Sequence, residues 1–281
     1  QLTSHRIPLN LSLMNFSSII RYQILIVLLA YSPTGRGQVI TDTAGIQSVP
    51  IRCIDKNACD YFPYDKRKII VLAAFQTAAF TSATIALNNA WYKNYPREKF
   101  HFFNDMKEWM QMDKCGHAFT SYQLGRNFYN SLQTSDSNRN RNIFLGGASG
   151  LLYLTSIEIL DGKSSQWGFS KSDMLANTLG YFLFSSQEYF LQQQIVSLKF
   201  SYQKSVFADM RPETFGRNFQ QRLLKDYNGQ TYWLSAPLSL NRTNTKRFTR
   251  WLCVSFGYSI DQNLYADNNI NSVNNFHATR E

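Results

Sequence analysis

The sequence predicts a mainly α protein, a bundle of about four packed helices over residues 68–196 with a smaller α+β extension over 197–260. Three observations carry that expectation. Stretches beginning near Ile69, Asp105, Ile143 and Asp173 place apolar residues at helical spacing and are separated by turn chemistry. After Gln194 the period switches toward two, as in short strands. The chain of 281 residues is ample for one large core, and its composition excludes wholesale disorder.

Ahead of the bundle, Met14-Asn15-Phe16-Ser17-Ser18-Ile19-Ile20-Arg21 and the apolar run Ile24 to Tyr31 have the form of a signal peptide, too short to span a bilayer. Gly35 and Gly37 stand at −3 and −1 positions, so cleavage before Gln38 is expected, with residues 1–13 as upstream sequence. The competing reading is a short buried N-terminal helix. Residues 38–67, with Pro50 and Pro63, are expected to be an irregular lead-in. Cys53 and Cys59 flank a short polar loop and fit a disulfide in an oxidising compartment, or two thiols. Cys115 and Cys253 are expected to be buried free thiols. No Cys closely follows the apolar run to receive a lipid.

Ile69 to Tyr92 carries no formal charge and exceeds the roughly 20 residues that cross a bilayer, so a core helix and a membrane helix both fit. Asn94-Tyr95-Pro96 ends it, and Phe100 to Phe103 is expected to be an aromatic turn. Asp105-Met106-Lys107-Glu108 has the form of a capping box opening a helix that runs through Asp113 and His117 to about Leu132. The third helix, Ile143 to about Leu160, holds Gly146 and Gly150 four apart. The fourth, Asp173 to about Gln193, holds Ala176 and Gly180 in the same relation, a spacing that permits close helix approach. Ser170 stands where an N-cap belongs.

Beyond the bundle, Ser197–Tyr202, Thr231–Ser235 and Trp251–Phe256 alternate as strands do, and Phe215 to Lys225 is amphipathic and short. The Asn-rich residues 261–281 are expected to be disordered. The formal charge is +10; from Ser197 to Trp251 there are ten Lys or Arg against three Asp or Glu. Such a stretch suits an anionic surface, and for an exported chain that means lipid phosphates or acidic glycans rather than nucleic acid, although an ordinary solvated basic face explains it equally.

The chemistry is concentrated between Met112 and Asn177. Asp113 and His117 lie one turn apart on a helix, Glu158 and Asp161 three apart on the next, and Asp173 and Asn177 four apart on the last. An acid in an apolar helix is costly unless paired, so three polar ridges are expected to converge on one pocket. Glu158 follows sixteen uncharged residues and has no capping role, which makes it the hardest to explain locally. His117, Glu158, Asp161 and Asp113 are therefore the candidate catalytic residues for proton transfer. Lys114, Trp167, Ser170, Asp173 and Asn177 are the candidate substrate-binding ones, with Lys114 and Trp167 at the mouth. Each has a plain alternative: Ser170 and Asp173 as helix capping, His117 with Asp113 as an intrahelical pair, Asp161 as a helix end. Asp, His, Glu and Asp on facing helices also resemble carboxylate-rich bundle metal sites, but the Glu-x-x-His repeat of that class is missing. The expected site therefore has no metal and no cofactor.

The run Met112-Asp113-Lys114-Cys115-Gly116-His117, with Ile157-Glu158-Ile159-Leu160-Asp161-Gly162, Trp167-Gly168-Phe169-Ser170 and Asp173-x-Leu175-Ala176-Asn177-x-x-Gly180, resembles the YfiM-like family of predicted periplasmic lipoproteins in its larger Bacteroidota form. Ala86 to Tyr92 and Leu224 to Ser235 agree, so the resemblance spans about residues 68–255. More distantly the chain is similar to VanZ-like membrane proteins, which share an Asp-Lys-x-x-His helix and a later Glu, Ser, Asp and Asn pattern. The resemblance implies a helical envelope protein, with Asp113, Lys114, His117, Glu158, Asp161, Ser170, Asp173 and Asn177 as its motif residues. It establishes no reaction; for the VanZ-like relatives it implies an association with glycopeptide resistance. The chain departs from the lipoprotein pattern at the missing lipid-attachment Cys, and relatives of similar length continue with further strands, so truncation near the Asn-rich end is expected.

The functional expectation is an exported, membrane-associated periplasmic protein whose pocket binds or acts on an anionic lipid or lipid-linked glycan. The rival is a non-catalytic envelope scaffold in which the same residues fix helix register. Neither reading sets the oligomeric state.

Overall fold

The computed structural model describes residues 51–55, 58–61, 66–90, 92–134, 138–238, 252–274 and 276–281. The expected signal peptide and its cleavage site lie outside them, as do Arg242, Lys246, Arg247 and Arg250 of the basic stretch. The lead-in is not wholly irregular: β1 (Ile51–Asp55) and β2 (Ala58–Tyr61) form an antiparallel hairpin with Cys53 and Cys59 as register partners. Strands of four or five residues are too short to stand out as a period.

Helix α1 (Lys66–Ala90) buries Ile69, Ala73, Phe80 and Thr84, a single narrow stripe, and leaves Ile70, Val71, Phe75 and Ile85 exposed. Phe80 stacks on Tyr153 with ring centroids 4.5 Å apart. Its Arg67–Asn89 portion is long and apolar enough to cross a membrane by length and composition, and mostly unburied.

Three helices form the body: α2 (Met112–Gln133), α3 (Arg139–Asp161) and α4 (Lys171–Ser186), the last prolonged by a π-helical turn over Gln187–Leu191 that stops at Gln192 with φ 56°. Asn138 caps α3, its side chain accepting from the Arg141 N–H, so α3 starts earlier than the apolar pattern suggests. The length and composition of α3 also pass for a membrane span, but half of it is buried as core. Small residues mark the crossings. A Cβ on Gly146 would stand 2.7 Å from Tyr129 Cβ, and one on Gly150 2.5 Å from the Ser121 carbonyl, while Gly180 faces Ala118 and Ser121. Helix α2 is thus the central one, and α3 and α4 press against it with no side chain between backbones.

The helix expected to open at Asp105 opens at Met112. Glu108–Gln111 is a 3₁₀ turn in which Trp109, Met110 and Gln111 all have left-handed φ of 47°, 49° and 69°. Tertiary contacts override the capping box: the Trp109 N–H donates to the Ala266 carbonyl at 3.0 Å, the Tyr258 hydroxyl donates to the Met110 carbonyl at 2.5 Å, and Met110 and Met112 are buried with Ile260. Non-glycine residues there cost on the order of 1–3 kcal/mol each, so the surroundings must hold them. Upstream, the expected aromatic turn is strand β3 (Phe102–Phe103), paired in parallel with β4 (Phe169–Ser170).

The extension contains β5 (Ser197–Tyr202), three short helices α5 (Phe207–Met210), α6 (Pro212–Phe215) and α7 (Phe219–Lys225), then β6 (Gln230–Pro237) and β7 (Cys253–Asp261). The expected helix from Phe215 is interrupted by Gly216, whose φ of 100° no helix accommodates. The described residues of 261–281 are not disordered: they contribute α8 (Asn268–Val273) and β8 (Thr279–Arg280), the last strand of an antiparallel sheet ordered β5-β6-β7-β8. Asparagine supplies the order. The Asn271 Oδ1 accepts from the N–H groups of Leu264 and Tyr265, its Nδ2 donates to Asn263 Oδ1 at 2.6 Å, and both side chains are fully buried. A polar composition does not exclude a core here, because these amides replace peptide–peptide bonds. Cys253 is exposed on β7 and Cys115 half-buried, so neither is the fully buried thiol expected.

The sheet lies against α2: Phe119 meets Phe200 and Tyr232 at 5.7 and 5.9 Å, and Gln123 Nε2 donates to the Leu198 carbonyl. Substituting Gly150→Ala should therefore destabilise the protein by about 1–3 kcal/mol through overpacking, against a gain of up to about 1 kcal/mol expected from helix propensity alone. Urea denaturation distinguishes the two, and a stabilised variant rejects the close crossing.

Candidate functional site

Helices α2, α3 and α4 are joined by short connections and packed together, so the start of α2, the end of α3 and the start of α4 meet at one end of the bundle. Two helix N-termini favour acids there and one C-terminus favours cations. The three polar ridges converge as the spacing predicts. The resulting cluster has two halves with different degrees of saturation.

The first half surrounds Lys114. Its Nζ lies 2.7 Å from Asp105 Oδ2, 2.9 Å from Asp173 Oδ1 and 3.4 Å from Asp113 Oδ2. Asp105 Oδ1 accepts in addition from the hydroxyls of Ser170 and Ser172, both at 2.7 Å. Ser170 caps α4 by accepting from the Asp173 N–H at 3.0 Å, so the capping reading holds for that pair within the larger cluster. Burial would lower the Lys114 pKa, but the carboxylates of Asp113, Asp173 and Asp105 raise it, and the ammonium is fixed. Burial would likewise raise Asp105, yet a proton held on neighbouring Asp173, whose own carboxyl burial pushes up to about 7, and hydrogen bonds from Lys114, Ser170 and Ser172 hold it well below the carboxylate range. Lys114 is therefore not a free cation at a mouth. It sits inside, answered by three acids, with only 12 % of its side chain exposed.

The second half surrounds His117. Nδ1 lies 3.0 Å from Asn177 Oδ1; with that oxygen assigned as acceptor, Nδ1 is the donor. Nε2 faces Glu158 Oε1 at 3.6 Å and Asp113 Oδ1 at 3.7 Å, both longer than a hydrogen bond. Glu158 is 1 % exposed; its Oε2 accepts from the Ser170 N–H at 3.1 Å, while Oε1 has no hydrogen-bond partner among the described residues. Asn177 is fully buried, and its Nδ2 has none either. Asp113 Oδ1 accepts from the Tyr227 hydroxyl at 3.2 Å, which ties the extension to this end of the bundle. Burial pushes the Glu158 carboxyl up to about 9, against the opposing charge of His117. Burial would lower His117, but the carboxylates of Asp113, Asp173 and Glu158 together hold it above the ordinary imidazole range.

Two expected site residues are placed elsewhere. Asp161 Oδ1 accepts from the Tyr92 hydroxyl at 2.8 Å, and burial pushes its carboxyl up to about 7. Trp167 packs edge-on against Tyr92 and Tyr95 at 5.7 and 5.1 Å, not over the cluster, because the loop after α3 folds back onto the end of α1. Asp105, Ser172 and Tyr227 were not anticipated. Asp105 had been absorbed by its capping pattern. Ser172 and Tyr227 carry no local signal, since their roles depend on residues 67 and 114 positions away.

Residues 101–187, the stretch from β3 through α4, match the model of a family described as predicted periplasmic lipoproteins (DUF2279). That description agrees with an exported, periplasmic and membrane-associated localisation. No curated protein and no solved structure matches the chain.

The acids of the cluster make stability depend on pH. Glu158 goes from an ordinary value of 4.5 to about 9, and Asp161 from 3.8 to about 7, so between those limits the folded chain holds protons that the unfolded chain has released. Stability should then fall as pH rises from about 5 to about 9, by roughly 2 kcal/mol or more in chelator-treated protein. Denaturant midpoints across that range check it, Glu158→Gln should flatten the slope, and a profile that rises with pH contradicts the burial of these carboxyls.

Proposed function

We propose that this chain is a periplasmic envelope protein whose His117 half-cluster binds, and carries proton transfer on, an anionic, lipid-linked envelope molecule. The observation that carries this reading is the set of unsatisfied inward-facing atoms: among the described residues Glu158 Oε1 and Asn177 Nδ2 lack hydrogen-bond partners, and His117 Nε2 has carboxyl oxygens only beyond bonding distance. A network kept for structure alone pairs most of its buried polar groups, because each one left unpaired costs about 1–3 kcal/mol. In the catalytic form His117 carries the proton, Glu158 is the acid or base beside it and Asp113 orients the ring; Asp161, bonded to Tyr92, is not needed for this. The exposed apolar side of α1 and the basic stretch over 197–251 support association with an anionic membrane surface. The likeness to YfiM-like and VanZ-like proteins rests on these same motif residues.

A second reading has its own observation. Lys114, Asp105, Ser170 and Ser172 are mutually saturated, which is what a scaffold that fixes helix register requires. The two roles divide the cluster between them: the lysine half locks and the histidine half acts.

Variants separate the halves. Lys114→Met should cost about 3–5 kcal/mol in urea denaturation, because it strands buried carboxylates. Glu158→Gln and His117→Gln should stay within about 1 kcal/mol of the parent, since the first replaces a protonated carboxyl by an isostere. These two should nonetheless fail to restore envelope integrity in cells lacking the protein, and should lose binding of a long-chain isoprenyl phosphate over the corresponding alcohol. Folded variants that complement fully would leave the scaffold reading alone.

A further inference from the structure

The histidine half presents a charge problem that protons alone answer poorly. Four carboxyls, of Asp105, Asp113, Glu158 and Asp173, gather around two cations, Lys114 and His117. The lysine is already shared among three of the acids. On the other side, the Nδ1–H···Asn177 bond leaves Nε2 as the ring nitrogen that faces two carboxyl oxygens, at 3.6 and 3.7 Å. A proton bridging such a pair draws the heavy atoms to about 2.7–2.9 Å. Oxygen and nitrogen ligands held about 2.0–2.2 Å from a shared ion instead stand roughly 3.3–3.7 Å apart at tetrahedral to trigonal angles. The observed separations are of the second kind.

We propose that His117 Nε2, Asp113 and Glu158 bind one divalent transition-metal cation, Zn²⁺ or Mn²⁺, with Asp173 at the edge of the site. The ligand atoms of Asp113, His117 and Asp173 lie within 4.8 Å of one another. Acid clusters are common, and the observation that makes this one a site is Glu158: 1 % exposed, with Oε1 unpartnered among the described residues and 3.6 Å from the ring nitrogen. An outer shell is present too. Asn177 fixes the ring, the Ser170 N–H fixes Glu158 through Oε2, and Tyr227 fixes Asp113, as outer partners of metal ligands do. One imidazole with carboxylates favours Zn²⁺ or Mn²⁺ over Ca²⁺ or Mg²⁺, which prefer oxygen alone. The missing Glu-x-x-His repeat is no objection, because here the ligands come from α2 and α3 rather than from one repeated motif.

The inference deepens the ligand-binding part of the proposed function, and its metal part stands without it; in the metal-loaded chain His117 Nε2 and Glu158 are ligands and not the proton carriers. An acid-rich pocket repels an anion, whereas a cation with an open coordination position attracts a phosphoryl oxygen. The ion thus explains how acids and an anionic ligand share one pocket.

The test starts from the chelator-treated full chain, with no lipid present. Calorimetric titration with Zn²⁺ and with Mn²⁺ should show one site per chain, and Co²⁺ should give visible absorption of a low-coordinate ion. His117→Gln and Glu158→Gln should each weaken binding at least about tenfold, with circular dichroism melts confirming that they fold. The surface control Glu213→Gln, on an exposed ion pair with Arg217, should change nothing. A parent chain that takes up neither ion at stoichiometry, or folded variants that bind as tightly as the parent, overturns the metal site. Adding the isoprenyl phosphate to the metal-loaded chain then tests the other reading separately: metal uptake without phosphate binding retains the site and rejects the ligand.

Discussion

One buried ammonium group organises the functional end of the molecule. Lys114 on α2 reaches Asp105 in the preceding loop, Asp113 on its own helix and Asp173 on α4. Through Asp105 it also fixes the hydroxyls of Ser170 and Ser172, and the Ser170 backbone in turn holds Glu158 of α3. A loop and three helices are therefore referred to a single charge. Without it the desolvation of those carboxylates has no compensation, and the ends of α2, α3 and α4 have no common reference point.

The fuller pairing of one half permits the frustration of the other. Glu158 and Asn177 are held rigidly by one polar atom each, through Ser170 and His117, which leaves their second atoms directed inward without freedom to turn away. Such preorganisation is what a ligand or proton site requires and what an apolar crossing never provides. The backbone contacts of Gly146, Gly150 and Gly180 bring the helices close enough for short side chains to meet. The extension covers the same end, with Tyr227 on Asp113 and Tyr232 beside Gly116. Tyr258 and Ala266 clamp the left-handed turn that launches α2. The sheet and tail are thus part of the site's support, and strain before Asp113 is carried by residues well over a hundred positions later.

Much of this was legible because it is periodic. The helices, the strands of the extension, the small-residue crossings and the convergence of His117 with Glu158 follow from spacing and from the cost of leaving charges in apolar helices. What was misread was aperiodic or doubly meaningful. Asp105 fits a capping box and is used as an ion-pair partner. Asn263 and Asn271 look like disorder and are buried hydrogen-bonding groups. Trp109 to Gln111 would continue a helix by propensity, yet contacts to Tyr258 and Ala266 twist them the other way.

The sequence by itself determined which residues are ionisable, which helical face each occupies and that those faces must meet, since local periodicity and desolvation act on the chain directly. Only the tertiary structure decided how the charges are shared. It gave Lys114 to three acids, left His117 between two carboxylates at more than bonding distance, and drew Asp161 and Trp167 away to Tyr92. The reason is that ångström differences between hydrogen bond, ion pair and shared ligand are set by how whole helices pack, and no residue's neighbours in sequence carry that information.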